Sequence, residues 1–493
     1  MSSTKANGED AHRREARTKE NYFMADTAIV WFRNDLRVRD NPALTAALAE
    51  SANVVALFVH ETDKALRPIG SAARWWLHRS LRALAQDLAS LGIPLLEAHG
   101  EAKASVLRVL REHDARALFW NRRYRPAARQ IDSDIKAEAG KHAEKVQSFS
   151  ATLLTEPWEL TTGQGKPYSV FTPFWKSLQQ QHIATPLPVP RGRKGPLGRA
   201  APVDADYREP AWASKFARFW DVGEDAARER LSDFLEDELP NYSEGRDIPA
   251  RPLTSRLSPH LRFGEISPRQ IWHSAAALAQ KEHRLAAQVD KFLSELAWRD
   301  FSYSLLYHRE DIANVPMQEK YAGMPWRIDD SQFEAWKHGR TGIPIIDAGM
   351  RQLWASGWMH NRVRMLVASF LAKNLLIDWR VGEQWFWDCL VDADDANNPA
   401  SWQWVAGSGA DAAPYFRIFN PVTQAERFDA AGQYVREWMP ELAQLPDKWI
   451  HNPAAAPGDV LRAAKVELGV VYPRPIVDLG LSRQRALDAL KQL

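Results

Sequence analysis

Between residues 27 and 150, five short apolar runs, "TAIVWF", "NVVALFVH", "PLLEAHG", "ALFWN" and "KVQSFS", are separated by intervening segments, several of helical length. The longest separator, "SAARWWLHRSLRALAQDLASLG", is far too long for a hairpin turn. Parallel strands need crossovers of about a dozen residues or more, usually helices, so this alternation predicts a doubly wound parallel sheet covered on both faces. The layout is Rossmann-like, yet no G-x-G-x-x-G follows any of the runs, which leaves a dinucleotide site of the usual kind unsupported.

A chain of 493 residues exceeds the size at which one hydrophobic core stops growing, so more than one domain is expected. The pattern divides into a disordered tail at 1–25, an α/β domain at 26–155, a connection at 156–210 and an all-helical domain at 211–485. The connection contains "ATPLPVPRGRKGPLGRAAP", whose proline, glycine and basic residues resist both helix and strand. The tail lacks the apolar core of a signal peptide, and no run of about 18 apolar residues exists to span a membrane. The single cysteine, Cys389, excludes an internal disulfide framework and a cysteine-based metal centre, and fits a reducing cytoplasm. No metal site is expected, and the protein is expected to be a monomer. With 64 Lys and Arg against 62 Asp and Glu, any nucleic-acid binding has to come from a local basic patch. The 21 tryptophans mostly suit a core, but such a supply also suits stacking on flat ligands or bases.

Two segments of the helical region carry polar groups where a plain amphipathic helix would not. On "WMHNRVRM" and its continuation, Val363, Leu366, Val367 and Phe370 share one side at 100° per residue, and Asn361, Arg364, Met365 and Ala368 share the other. No acid stands three or four residues from Arg364 to pair with it. On "VDKFLSELAWRDFSYSLL", Leu293, Leu296 and Ala297 oppose Glu295, Trp298, Arg299 and Ser302. Two such faces can line one cavity; the plainer alternative is an ordinary exposed ion pair between Glu295 and Arg299.

The acid cluster "DADDANN" does not make a calcium loop, because Asn397 and Gln403 stand where glycine and glutamate are required. Either Asp392 or Asp394 is expected to pair with Arg364, leaving the other carboxylate for a ligand; a solvated acidic loop is the alternative. In "TSRLSPHLRFGEISPRQIW", Ser258 before Pro259 and Ser267 before Pro268 both read as N-caps. The hydroxyls of Thr254, Ser255 and Ser258, crowded ahead of a helix, also suit a phosphate.

Together these stretches resemble the photolyase and cryptochrome family of flavoproteins. The resemblance begins at "VWFRNDLRVRDNPAL", continues through "ELAWRDF", "GIPIIDAGMRQLWASGWMHNRVRM" and "DADDANNPASWQW", and ends in "DAAPYFRIFNPVTQAERFD", covering residues 27 to 480. It implies an N-terminal antenna domain and a C-terminal helical domain holding FAD in a folded, U-shaped conformation. By the same resemblance Tyr242, Thr254, Ser255, Leu257 (through its backbone) and Ser258 hold the flavin's phosphates. Arg364 lies over the flavin and pairs with Asp392, Asp394 contacts the ligand, and Asn398 faces flavin N5. Glu295, Trp298, Asn361, Met365 and Trp404 form the lesion pocket, with Glu295 protonated, or served by a relayed proton, to reach a thymine carbonyl edge. Arg246, Arg362 and Arg417 match positions on the DNA backbone. Trp402, Trp379 and Trp326 match the chain that photoreduces the flavin.

The resemblance implies light-dependent repair of cyclobutane pyrimidine dimers in UV-damaged DNA. Relatives acting on the (6-4) photoproduct carry histidines where this chain has Asn361 and Met365, and plant cryptochromes commonly carry aspartate where it has Asn398. The sequence around "NPASWQWVAGSGADAAPYF" is similar to the bacterial class III branch, nearest to plant cryptochromes, so a blue-light photoreceptor without repair activity is the alternative. An Asn-Glu pair that contacts folate in some members is replaced by Ala127 and Ala128. The expected antenna is 5,10-methenyltetrahydrofolate held by other residues, with a deazaflavin as the alternative.

Overall fold

The five apolar runs form one parallel sheet, ordered β3-β2-β1-β4-β5, with β1 at Thr27–Phe32, β2 at Asn53–Glu61, β3 at Leu95–Gly100, β4 at Ala115–Asn121 and β5 at Lys145–Phe149. The structure is a computed structural model and describes residues 27–192, 207–411 and 417–493. The expected tail at 1–25 and residues 193–206 of the connection lie outside the described residues. β1 and β4 are buried on both faces, which is why they read as continuous apolar runs instead of alternating ones.

Helices Pro42–Glu50 and Ser71–Ser90 cover one face, packing Leu44, Trp75 and Trp76 against Val30 and Phe32. Helices Ala102–Glu112 and Pro126–Ala139 cover the other, packing Val106 and Ile135 against Ile29 and Trp31. From Ala211 onward the described elements are helical; Ala286–His308, Pro344–Ser356, Asn361–Ser369, Trp379–Cys389 and Asn397–Ala406 surround the core that matters here. The connection is not without structure, since its helix Phe171–Leu178 buries Phe171, Phe174 and Leu178 in the core beside Ala286–His308. No helix among the described residues is long and apolar enough to cross a membrane.

The turn after β1, "RNDLRVRDN", carries charges that would be expected in water, yet Arg33, Asp35, Arg37 and Asp40 are all buried. Arg33 is met within the α/β part by Asp132, and Asp35 by Asn121 Nδ2 at 2.6 Å, whereas Arg37 and Asp40 also reach across the join with the helical part. Arg37 donates to the carbonyls of Gly264 and Ala151, both at 2.9 Å. Asp40 accepts from Arg269 Nη2 at 2.8 Å, from Leu187 N at 2.9 Å and from the Ser267 hydroxyl. Ser267 is the N-cap that its sequence promised, in a full capping box with Gln270. Gly264 sits at φ +69°, and a Cβ there would lie 2.1 Å from the Asn34 carbonyl oxygen, so only glycine allows the two chains this close. Beside it, Glu265 takes Trp76 Nε1 at 3.0 Å and His260 Nδ1 at 2.5 Å.

Removing one member of a buried charge cluster leaves the others uncompensated. Replacing Asp40 with alanine is expected to destabilise the protein by about 3–5 kcal/mol in urea unfolding, and Asp40→Asn by less because an acceptor remains.

Candidate functional site

Helix Asn361–Ser369 starts on His360, whose Nδ1 accepts from Arg362 N at 3.2 Å. Burial of the His360 ring pushes its pKa down to about 4, which keeps that nitrogen an acceptor at neutral pH. The helix buries Val363, Leu366 and Val367, while Asn361, Arg364, Met365 and Ala368 line a cavity, as the helical periodicity predicts. Arg364 faces Asp392, donating Nη1 to Oδ1 at 3.1 Å and Nη2 to Oδ2 at 2.8 Å, with Nε on the Met359 carbonyl at 2.7 Å. Of the two candidate acids, Asp392 is therefore the partner. Asp394 is engaged by its own loop, accepting from Ala396 N at 2.9 Å and Asn397 Nδ2 at 2.8 Å, and does not line this cavity.

The N-cap reading of Ser258 is corrected by the structure. Helix Ser258–Phe263 begins at Ser258 itself, Leu257 is its N-cap, and no side chain closes it. The Ser258 hydroxyl instead donates to Asp392 Oδ2 at 2.6 Å, the same oxygen that Arg364 Nη2 meets. Thr254 and Ser255 are held from behind by Arg230, which donates to their carbonyls at 3.2 and 2.9 Å, and Leu257 N lies 3.5 Å from Ser255 Oγ. Nothing in the spacing pointed to Arg230. Tyr242 packs edge-on against Phe234 and Phe292, and burial raises its phenol pKa.

The cavity beside Arg364 measures 110 Å³, and its other walls include Phe386, Leu390, Trp402 and Val405. Asn398 also lines it. Its Nδ2 donates to the Glu383 carbonyl at 3.1 Å and to Glu383 Oε1 at 2.7 Å, so the amide is oriented and Oδ1, with no hydrogen bond among the described residues, is left for a ligand. A fixed guanidinium, an oriented amide oxygen and apolar walls match a flat heterocycle with polar edges, and these residues fit a flavin.

A second cavity of 250 Å³ is lined by Glu295, Trp298, Asn361, Met365, Ser401 and Trp404. It shares Asn361, Met365, Asn397, Ser401 and Val405 with the first. The five residues assigned to the lesion pocket are thus brought together, directly beside the first cavity. Trp298 is stacked at 3.8 Å and 9° on Phe171, a residue that sequence reasoning missed, so one indole face is covered and the other is available.

Glu295 and Arg299 do not form the i,i+4 pair that their spacing allowed. Arg299 turns toward the sheet, donating to the Thr152 carbonyl at 2.6 Å, while Glu295 pairs with Arg246 and with Lys291 Nζ at 2.9 Å. Burial alone would raise the Glu295 pKa, but the two cations outweigh it and hold the group below the usual range. The protonated form expected for ligand contact is therefore not the resting one. Arg362 is likewise occupied, by Asp247 at 2.7 Å, whereas Arg417 is exposed with its guanidinium 5.0 Å from the Phe419 ring. Of the three candidate DNA-contacting arginines, two rest on carboxylates.

Trp402 lies between the first cavity and helix Trp379–Cys389; a Cβ on Gly382 would fall 2.3 Å from its ring, one turn from Trp379. Trp379 is buried, and Trp326 is half-buried against the same core. Trp402 also meets Phe386 at 5.0 Å and Trp336 at 6.3 Å, neither of which was singled out from sequence.

Residues 28–191 match the family model described as DNA photolyase, and residues 292–492 match the FAD binding domain of DNA photolyase. The chain is 46% identical over 472 residues to a deoxyribodipyrimidine photo-lyase of Agrobacterium fabrum, covering 94% of this chain and 97% of that protein. It is 38% identical to cryptochrome-1 of Arabidopsis thaliana, covering 94% of this chain and 70% of that one. The crystal structure of a bacterial class III photolyase from Agrobacterium tumefaciens superimposes with a TM-score of 0.90 at 45% identity, covering 95% and 98% of the two chains. By its sequence, its sheet and its helical FAD-binding part, the chain belongs to the photolyase and cryptochrome family.

Proposed function

We propose that this chain is a deoxyribodipyrimidine photo-lyase that splits cyclobutane pyrimidine dimers in UV-damaged DNA under blue light. The observation that carries the reading is the common wall of the two cavities: an aromatic-sided pocket separated from the flavin cavity only by Asn361, Met365, Asn397, Ser401 and Val405. Bound FAD supplies a light-driven electron that the dimer takes up and, once its two ring bonds have parted, returns, so nothing is oxidised or reduced overall. In this reading residues 26–155 form the antenna domain, 211–485 the catalytic domain, and 156–210 joins them.

The protein's part is to hold, dry and orient. Arg364, Asp392 and Ser258 form a rigid ionic wall on the flavin; Tyr242, Thr254, Ser255 and Leu257 flank its phosphates, and Asp394 shapes the loop between Asp392 and Asn398. Trp298 and Trp404 receive the flipped-out bases on their ring faces. Met365 and Asn361 fill the space between base and flavin. Arg246, Arg362 and Arg417 meet the backbone, the first two after exchanging a carboxylate for a phosphate, and Trp402, Trp379 and Trp326 deliver electrons from outside.

The antenna we assign is 5,10-methenyltetrahydrofolate. A surface cleft supports it: Trp212 and Trp354 face one another at 6.2 Å and 29°, and Lys215 Nζ stands 4.4 Å from the Trp354 ring. A small parting of these rings admits a pterin between them, and the lysine suits its carboxylate tail. Trp354→Ala is expected to remove any absorption band beyond the flavin's own while leaving flavin bound.

Oligonucleotide carrying a thymine dimer, incubated with the protein in darkness and then in blue light, is expected to lose dimers only in the light. Retained flavin with no loss of dimers in either condition would point to a photoreceptor instead. Trp404→Ala is expected to weaken lesion binding by about 1–3 kcal/mol, the worth of one stacked base, with the flavin spectrum unchanged. Because Glu295 rests ionised and becomes protonated to donate a hydrogen bond to thymine when bound, binding takes up a proton. Lesion affinity is therefore greatest below the depressed resting pKa of Glu295 and falls as pH rises past it; in Glu295→Gln the affinity is flat with pH.

A further inference from the structure

The Asn398 amide is oriented by Glu383, and Glu383 is in turn gripped from the α/β part of the chain. Arg67, just ahead of helix Ser71–Ser90, donates Nη1 to Glu383 Oε1 at 2.7 Å and Nη2 to Oε2 at 2.8 Å. The arginine is itself fixed on three sides. Its guanidinium lies 4.0 Å over the Trp387 ring and donates to Gln384 Oε1 at 2.6 Å. The adjoining backbone is docked on helix Trp379–Cys389: Trp387 Nε1 donates to the Pro68 carbonyl at 2.8 Å, and Ser71 N donates to Asp388 Oδ1 at 2.9 Å. Gly70 comes so close that a Cβ would lie 2.0 Å from the Trp387 carbonyl oxygen.

We propose that Arg67 is a positioning residue for flavin chemistry: by clamping Glu383 it fixes the Asn398 amide with its oxygen turned toward flavin N5. This rests on the flavin reading given above. Glu383 has two oxygens, and the bidentate fork uses both, so its carboxylate cannot rotate away from Asn398. With Nδ2 spent on Glu383 Oε1 and the Glu383 carbonyl, Asn398 offers a hydrogen-bond acceptor and not a donor. An acceptor at N5 favours flavin forms that carry a proton there. A side chain of the antenna half thereby sets a property of the cofactor held in the other half. Without the fork, Glu383 swings, Asn398 loses its orientation, and the N5 proton loses its acceptor.

The test is visible spectroscopy of the FAD-loaded protein during stepwise photoreduction, read as the fraction of flavin held as the radical protonated at N5. Arg67→Met is expected to lower that fraction relative to the unprotonated radical about three- to tenfold, the worth of one hydrogen bond. Glu383→Gln should match it. Arg67→Lys keeps the charge but loses the fork, and should fall between. Should Arg67→Met shed its flavin, Arg67→Lys carries the test by the same readout. A role confined to docking the two parts of the chain would lower the melting temperature and leave the radical spectrum as in the parent, and that result overturns the proposal. So does an Arg67→Lys protein indistinguishable from the parent, which would make charge alone responsible. Asn398→Ala separates the two levels: if it too leaves the radical unchanged, Asn398 does not face N5 and the flavin reading fails; if it shifts the radical while Arg67→Met does not, only the role of Arg67 fails.

Discussion

A carboxylate as deeply buried as Asp392 needs partners in place of the water it has lost. Arg364 supplies two hydrogen bonds and a countercharge, and Ser258 supplies a third bond. These three residues come from a helix, a loop and the start of a second helix, separated by up to 134 positions in the chain. Meeting one charge therefore fixes three segments relative to one another, and the cavity proposed for the flavin is the space that they enclose with the helix bearing Asn398. The pair shapes the cavity as well as the packing, since the guanidinium that satisfies Asp392 is also one of its walls.

The same economy governs the join between the sheet and the helices. Two layers of different architecture could slide if only apolar surface held them, because hydrophobic contact is non-directional. Arg37, Asp40 and the bond from Trp76 to Glu265 make it directional, each bond demanding its own partner at its own angle. The close backbone approach at Gly264 then leaves no room for an alternative seating. Rigidity at this join matters because Arg67 reaches Glu383 across it.

The sheet was legible because helix-length crossovers between apolar runs admit few other solutions, and all five strands fall on the runs read from sequence. The cavity-lining side of the 361–369 helix was legible for the same kind of reason: a helical period places Asn361, Arg364 and Met365 together whatever surrounds them. What could not be read were choices among partners. Glu295 had Arg299 at a suitable spacing and took Arg246 and Lys291; Ser258 had a cap position to fill and took Asp392. Such choices depend on which group lies across the interface, and neither Phe171 behind Trp298 nor Arg67 behind Glu383 leaves any local trace. Family resemblance supplied the roles proposed for Asn398 and Trp404, to which periodicity alone assigned none.

The stack of Phe171 on Trp298 ties the proposed lesion pocket to a part of the chain that belongs to neither layer. Phe171 arrives on the stretch that links sheet to helices, and it braces from outside the indole proposed to meet the substrate. A helical fragment cut free at residue 211 would keep every residue assigned to the reaction and still present a wobbling plate where a firm one is needed. The tether is thus masonry, and evolutionary changes in its length or course reach the substrate without altering a single group that touches it.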